Sequence, residues 1–391
     1  APAAPPPPPP LVPTTEPAAW HESTSKLLQV PLNAEEAEEV DGHNPNLVEE
    51  AAYFACAGVG LGPEETYRVF ASLHALQQAK QLATVRFFGK VLGSCGRDYY
   101  ICEATYVSDP EPAEDAPEPP ADMEARGTGV NTYSYFATND PASDWTELPL
   151  VLPAQLLAAA KIRKYFTGDL SAPVRAYPPF PGNEAAYLRA QIAFIAHATT
   201  LCPKGKFVAT EDDPTKVEPN GDEEYKPISH DEMASAASWL RYHPGILSTV
   251  GRVTHMPKEE EEADEDGEPK PAEPPLEAET PALAPIAPDE WSVQLHAHAG
   301  DGAAVAIARS SAWPGAYCAT VMKEDKCANL YVGYGHCAMS APFVVPPPPP
   351  VCAEPAELSE EKDTPLAEEN SAIEAAELKK LEEMEEEAPE E

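Results

Sequence analysis

The sequence predicts an α+β fold: helical segments, an antiparallel β-hairpin and meander, and long disordered acidic and proline-rich insertions. Three observations predict it. Apolar residues recur at helical spacing in several stretches. Elsewhere, runs rich in β-branched and aromatic residues alternate with turn clusters. The charge is segregated from both. Of 391 residues 43% are hydrophobic, enough for a substantial core, yet the chain also has 47 prolines and a formal net charge of −40. Asp109–Arg126, Glu211–Lys226, Lys258–Glu290 and Glu354–Glu391 hold nearly all of that charge, and the remainder is close to neutral. This is the pattern of a folded body with solvated acidic loops and an acidic tail.

The elements follow in order. Residues 1–45 form a proline-rich extended arm, in which Pro5–Pro10 favours polyproline II. An N-terminal α+β part spans 46–256, with acidic loops at 108–126 and 211–226. A helix over 46–54 leads to a glycine-rich break at Gly58–Pro63. A second helix starts at Pro63, with Glu64 and Glu65 in its first turn and Tyr67, Phe70, Leu73 and Leu76 on its buried face. Ala83–Leu92 and Tyr99–Val107 make a hairpin about the turn cluster Gly93–Asp98. Asn131–Thr138 and Trp145–Leu148 read as further strands. Pro153–Phe166 reads as a helix, with proline at its start and Lys161, Arg163 and Lys164 near its end. Tyr177–Glu184 is a rigid turn feeding a helix over 184–198, and Asp231–Tyr242 is a short helix. Residues 257–289 are an acidic low-complexity linker. Residues 290–345 are β-rich, with a meander of Trp291–His298, Ala303–Arg309, Ala316–Met322 and Asn329–Gly333. A proline-rich and then acidic tail, 346–391, ends in a marginal helix over about 365–387.

Composition excludes several functions. A pI near 4.4 argues against nucleic acid, whose phosphates need clustered Lys and Arg, and against an anionic membrane surface. No apolar run is long enough for a transmembrane helix, and no signal peptide is visible, although the chain starts at Ala1 rather than Met. The 8 cysteines are scattered without a CxxC pair, as expected of reduced thiols in a cytosolic compartment.

Catalytic and metal motifs are absent. Gly58–Gly62 resembles a phosphate loop, but it follows a helical segment and no Lys-Ser/Thr follows it. His296 and His298 would share one face of a strand, an arrangement more often a polar surface than a metal site. His336 and Cys337, as neighbours on a strand, would face opposite sides. No acidic run has the spacing of an EF-hand. Lys161, Arg163 and Lys164 form the one tight basic cluster. It suits either an acidic segment of this chain or a partner, or the C-terminal end of a helix. The catalytic, cofactor and metal sets are therefore empty.

Five blocks carry a resemblance. They are Val85–Gly93 (VRFFGKVLG), Pro153–Gly168 (PAQ through KIRKYFTG), Tyr177–Ile192 (YPPFPGNEAAYLRAQI), Ser311–Tyr317 (SAWPGAY) and Asn329–His336 (NLYVGYGH). In sequence, order and spacing they resemble the radial spoke head proteins four and six, one homologous family, over roughly residues 45–345. The N-terminal region and the acidic inserts depart from the family pattern.

The resemblance implies a non-catalytic subunit of the spoke head in the axoneme of a cilium or flagellum, with no cofactor. Its implied partners are a paralogue of the same family, a smaller related head subunit, MORN-repeat subunits and the spoke stalk. The head would also make transient contact with central pair projections, regulating dynein. Within the blocks, the structural or interface candidates are Pro178, Pro179, Phe180, Pro181, Gly182 and Asn183 in the turn, and Trp313, Pro314, Gly315 and Tyr317 in the β-rich part. Composition alone leaves a second reading open, an acidic binding protein or chaperone for basic partners.

Overall fold

The computed structural model describes residues 45–108, 110, 120–210, 216–222, 225–255, 280–297, 304–321, 326–338 and 364–386. The arm over 1–44, the proline run at 346–350, most of the acidic linker, and His298 lie outside them. The chain divides into two compact units, Ala1–Pro342 and Phe343–Glu391.

In the first unit, α1 (Leu47–Ala55) is capped by Asn46, whose side chain accepts from the N–H groups of Val48 and Glu49. Helix α2 (Pro63–Lys80) opens on proline with Glu64 and Glu65 in its first turn. Its buried stripe is Thr66, Val69, Ser72, Leu73 and Leu76. The expected stripe holds at Leu73 and Leu76 and is corrected at Tyr67. Val69, Leu73 and Leu76 recur at i, i+4 and i+7, which turns Tyr67 outward to 47% exposure and leaves Phe70 partly buried. Gln81, in the left-handed conformation, turns the chain into β1 (Leu82–Val91).

Strand β2 (Tyr99–Tyr106) completes the hairpin, and β3 (Ser134–Thr138) and β4 (Thr146–Glu147) extend it. Then come α3 (Pro153–Ala159), α4 (Glu184–Thr199), and the short strands β5 (Leu201–Pro203), β6 (Phe207–Ala209) and β7 (Val217–Pro219). Next are α5 (His230–Met233), β8 (Trp239–Arg241) and β9 (Ala284–Pro285). The meander is β10 (Trp291–Ala297), β11 (Ala304–Ser310), β12 (Ala316–Val321) and β13 (Lys326–Gly333).

Three expectations need correction. The helix expected over 153–166 ends at Ala159, and Phe166 instead forms a β-bridge with Gly93, which helical backbone would not allow. The helix expected over 231–242 is one turn, His230–Met233, then a 3-10 turn, Ala236–Ser238, and then β8. Trp239 is pulled into the core and donates its indole N–H to the Met233 carbonyl at 3.0 Å. The end of the presumed linker also contributes structure, since β9 pairs with β8.

Eight strands form one sheet in the order β10-β11-β12-β13-β1-β2-β3-β4. Every pairing is antiparallel except one: β13 and β1 run parallel, with Gly89 opposite Tyr331 and Val91 opposite Gly333. Gly89 has φ +154, and a Cβ there would lie 2.0 Å from the Tyr331 carbonyl oxygen, so the seam closes only on glycine.

Helices cover both faces. On one, α1 and α2 pack Leu47, Phe54, Val69 and Leu73 against Val85, Phe87, Phe136, Ile307 and Leu330. On the other, α3 and α4 pack Leu156, Tyr187, Leu188, Ile192 and Ile195 against Phe88, Val91, Tyr99, Ile101 and Tyr135. Phe87 and Phe88 serve opposite faces because successive strand side chains alternate. A third cluster joins Leu201, Met233, Trp239 and Trp291 to the meander.

Polar ties cross the sheet. The Arg86 guanidinium meets a Glu103 oxygen at 3.1 Å, and also donates to the Asn329 carbonyl at 3.3 Å. The other Glu103 oxygen accepts from the Tyr135 hydroxyl at 3.0 Å. One ion pair thus ties β13, β1, β2 and β3. The buried Arg189 of α4 donates to the Val130 carbonyl at 2.8 Å and stands over the Tyr135 ring at 4.5 Å.

In the second unit, α6 (Leu366–Glu386) has Glu368 and Glu369 in its first turn, and its described side chains are exposed.

Burial perturbs two kinds of group in opposite senses. It pushes the Glu50 carboxyl, beside Leu47, Phe54 and Phe87, up to about 7. It pushes the His243 imidazole down to about 4, and the neighbouring His197 well below its ordinary value. As pH falls from 7 towards 4.5, the folded chain protonates Glu50 before the unfolded chain does, which stabilises the fold. From 6.5 downward the unfolded chain protonates its histidines first, which destabilises it. Glu50→Gln is therefore expected to raise stability above pH 7 and to steepen its loss on acidification between pH 7 and 4.5. The difference is up to about 3 kcal/mol. Urea unfolding at a series of pH values measures it, and parallel curves for parent and variant would refute a raised Glu50.

Candidate interaction surface

Four of the five sequence blocks meet around the fully buried ring of Phe166. Gly93 ends the first block and forms a β-bridge with Phe166, whose carbonyl accepts from the Ser94 N–H at 2.7 Å. The Phe166 ring packs on Tyr99 at 6.2 Å, edge to face, and on Tyr187 at 5.2 Å. Tyr187 in turn packs on Phe180 at 5.4 Å. From the last block, the Tyr331 hydroxyl accepts the Gly335 N–H at 2.7 Å, beside the same ring.

Glu184 ties its own block to the Pro153–Gly168 block and to strand β2 by hydrogen bonds. It is the first residue of α4, is 3% exposed, and accepts four donors. These are the Tyr99 hydroxyl (2.8 Å), the Thr167 N–H (2.8 Å) and hydroxyl (2.9 Å), and the Gly168 N–H (3.0 Å). A carboxylate there also faces the positive end of the α4 dipole. Burial, then the hydrogen bond to Glu184, pushes the Tyr99 phenol far above its ordinary value, so it remains a donor.

Each candidate from the sequence has a definite place. Asn183 is the cap of α4, its Oδ1 accepting the Ala186 N–H at 3.1 Å. The Pro181 carbonyl accepts from the Gln155 side chain at 3.1 Å, joining the turn to α3. Phe180 is buried and Pro178 partly so, whereas Pro179, Pro181, Gly182 and Asn183 face solvent. The Tyr177–Pro178 bond is cis, and Tyr177 is 60% exposed. Trp313 is buried against the α4 face of the sheet. Gly315 has φ +103, and a Cβ there would lie 2.2 Å from the Val332 carbonyl oxygen, so the Trp-Pro-Gly turn admits no side chain. Tyr317 does not join this group: it packs on the opposite face, with the α1 and α2 cluster.

Sequence reasoning missed Glu184 as a tie. Its signal is the Asn-Glu pair at the start of an apolar helix, which marks a cap but not the donors that a carboxylate collects from elsewhere. It also placed the basic cluster at a helix end. With α3 ending at Ala159, Arg163 and Lys164 lie beyond the reach of its dipole.

The remaining aromatics of this region stand outside the core. Tyr165 and Tyr334 are 59% and 54% exposed and pack edge to face at 5.6 Å, and His336 packs on Tyr165 at 4.8 Å. With Arg163, Pro314 and Ala338 they line an open groove of about 290 Å³. Among the described residues no three His, Cys, Asp or Glu side chains are placed to hold a metal ion. The described cysteines are free thiols, and no described helix is long and apolar enough to cross a membrane.

A family profile described as radial spokehead-like protein matches residues 14–122 and 108–370. The chain belongs to the radial spokehead-like family. It is 35% identical over 385 residues to human radial spoke head protein 4 homolog A, covering 85% of this chain and 53% of that protein. It is 34% identical over 366 residues to mouse radial spoke head protein 6 homolog A, covering 77% of this chain and 51% of the relative. It is 34% identical over 357 residues to flagellar radial spoke protein 4 of Chlamydomonas reinhardtii, covering 83% and 75%. The chain thus spans about half the length of the mammalian relatives it matches. Membership of the radial spokehead-like family places it in the axoneme of a cilium or flagellum.

Glu184→Gln keeps the shape of the side chain but sets an amide donor against the donors around it. It is expected to cost about 2–4 kcal/mol of folding stability, as removal of a buried charged partner does. Tyr99→Phe removes one donor and should cost about 1 kcal/mol. Chemical denaturation measures both, and equal losses would show that Glu184 acts through Tyr99 alone.

Proposed function

We propose that this chain is a non-catalytic structural subunit of the radial spoke head. It scaffolds the head with a paralogue of its own family, a smaller related subunit and MORN-repeat subunits, and joins it to the spoke stalk. Through the head it makes transient contact with the central pair and so regulates dynein-driven motility. Family membership carries this reading. The use of the shared blocks supports it: they build a rigid surface around Phe166 and Glu184, where an enzyme would instead converge titratable groups on a cleft. Within that surface the exposed parts of the turn (Pro179, Pro181, Gly182) and Pro314 are the proposed partner contacts. Phe180, Asn183, Trp313 and Gly315 hold the shape of that surface.

Affinity purification of the tagged chain from isolated axonemes, followed by mass spectrometry, tests the proposal. The expected result is recovery of a paralogue, MORN-repeat subunits and stalk proteins. Recovery of histones or other soluble basic proteins without axonemal partners would overturn it and favour an acidic chaperone.

A further inference from the structure

We propose that the groove between Tyr165, Pro314 and Tyr334 receives an extended, proline-rich, acidic segment of a partner protein. The walls suit such a ligand. Tyr165 and Tyr334 hold each other edge to face at 5.6 Å and an interplanar angle of 80°, so their positions are set although both rings are more than half exposed. A pair of ordered aromatic rings beside a proline is the surface on which polyproline II segments lie, each proline ring resting between aromatic faces.

A polyproline II chain makes no internal hydrogen bonds, so its carbonyls need donors from the groove. The hydroxyls of Tyr165 and Tyr334 donate to no group among the described residues, and both stand at the groove. The backbone on either side is already fixed. Before Tyr165, the Lys164 N–H donates to the Tyr187 hydroxyl at 3.3 Å, and after it Phe166 is held by Ser94. Gly335, next to Tyr334, is held by Tyr331, and the Ala338 N–H donates to the Ala312 carbonyl at 2.7 Å. Binding would therefore order little of the groove itself.

Charge selects the acidic form of the ligand. The chain is strongly acidic overall, yet Arg163 lines this groove, with the exposed Lys161 and the partly buried Lys164 beside it in sequence. Burial, aided by Arg163, lowers the basicity of His336, so near neutral pH the positive charge among the groove's lining residues is that of Arg163. A basic segment meets like charge here, and a neutral one gains nothing from it. This recognition depends on the groove alone, whatever assembly the chain enters.

The test is fluorescence anisotropy of the full chain with a labelled peptide of repeated Pro-Pro-Glu, beside Pro-Pro-Lys and Ala-Ala-Glu controls. The expected result is saturable binding of Pro-Pro-Glu at least about ten-fold tighter than of either control. Tyr334→Ala should weaken it about ten-fold, the scale of losing one aromatic contact at an interface. Arg163→Glu should weaken it and flatten its dependence on salt. Tyr67→Ala, an exposed tyrosine on α2, should leave it unchanged, and circular dichroism establishes that each variant is folded. Absence of binding overturns the proposal. So does binding that ignores the proline or the charge, or that survives Tyr334→Ala in the folded chain.

Discussion

Glu184 places a full negative charge at the start of the most deeply buried helix, and everything around it is arranged to satisfy that charge. The sheet reaches it through Tyr99, and the segment after α3 through Thr167 and Gly168. The proline-rich turn leads into it through Asn183. An unsatisfied buried carboxylate would be far costlier than an unsatisfied amide. The loops that approach it are therefore fixed relative to one another, although few of their residues are in regular secondary structure. The exposed tyrosines and prolines of the surface inherit their positions from this arrangement.

A second constraint ties strands to one another. The Arg86–Glu103 pair, with Tyr135 and the Asn329 carbonyl, spans four adjacent strands. It sits where the one parallel pairing joins the hairpin to the meander, at which parallel ladders are slightly weaker per residue. Side-chain ties there supplement the backbone ladder. Gly89 allows the strands to close, and Arg86 fastens them from the side.

Much of this was legible in the sequence. The hairpin, the meander and the long central helix follow from β-branched runs, turn clusters and apolar periodicity, because each is set by local pattern and one buried face. What was hidden depends on contacts distant in sequence. Nothing between Ala160 and Phe166 says that the helix must stop; Lys, Arg and Ile are good or acceptable helix residues, and the backbone pairing of Phe166 with Gly93, distant in sequence, takes the segment instead. Trp239 overrides helical propensity in the same way. The motif residues were found, but their division of labour was not. Asn183 and Gly315 are local devices that a sequence reader can assign. Tyr317 belongs to the other face of the sheet, because the strand alternation that decides this depends on register.

The parallel seam has a consequence for how the molecule comes into being. Strand β1 emerges from the ribosome early, but its neighbour on one side, β13, is among the last parts of the body to be made. Until residues 326–333 are available, the hairpin carries an open edge, and the apolar faces of α1 and α2 lack the meander residues they pack against. Closing that gap joins residues far apart in the chain, the kind of step that slows folding and exposes intermediates to aggregation. Synthesis interrupted just before β13 would release a polypeptide whose two groups of strands, β1–β4 and β10–β12, have no strand to join them.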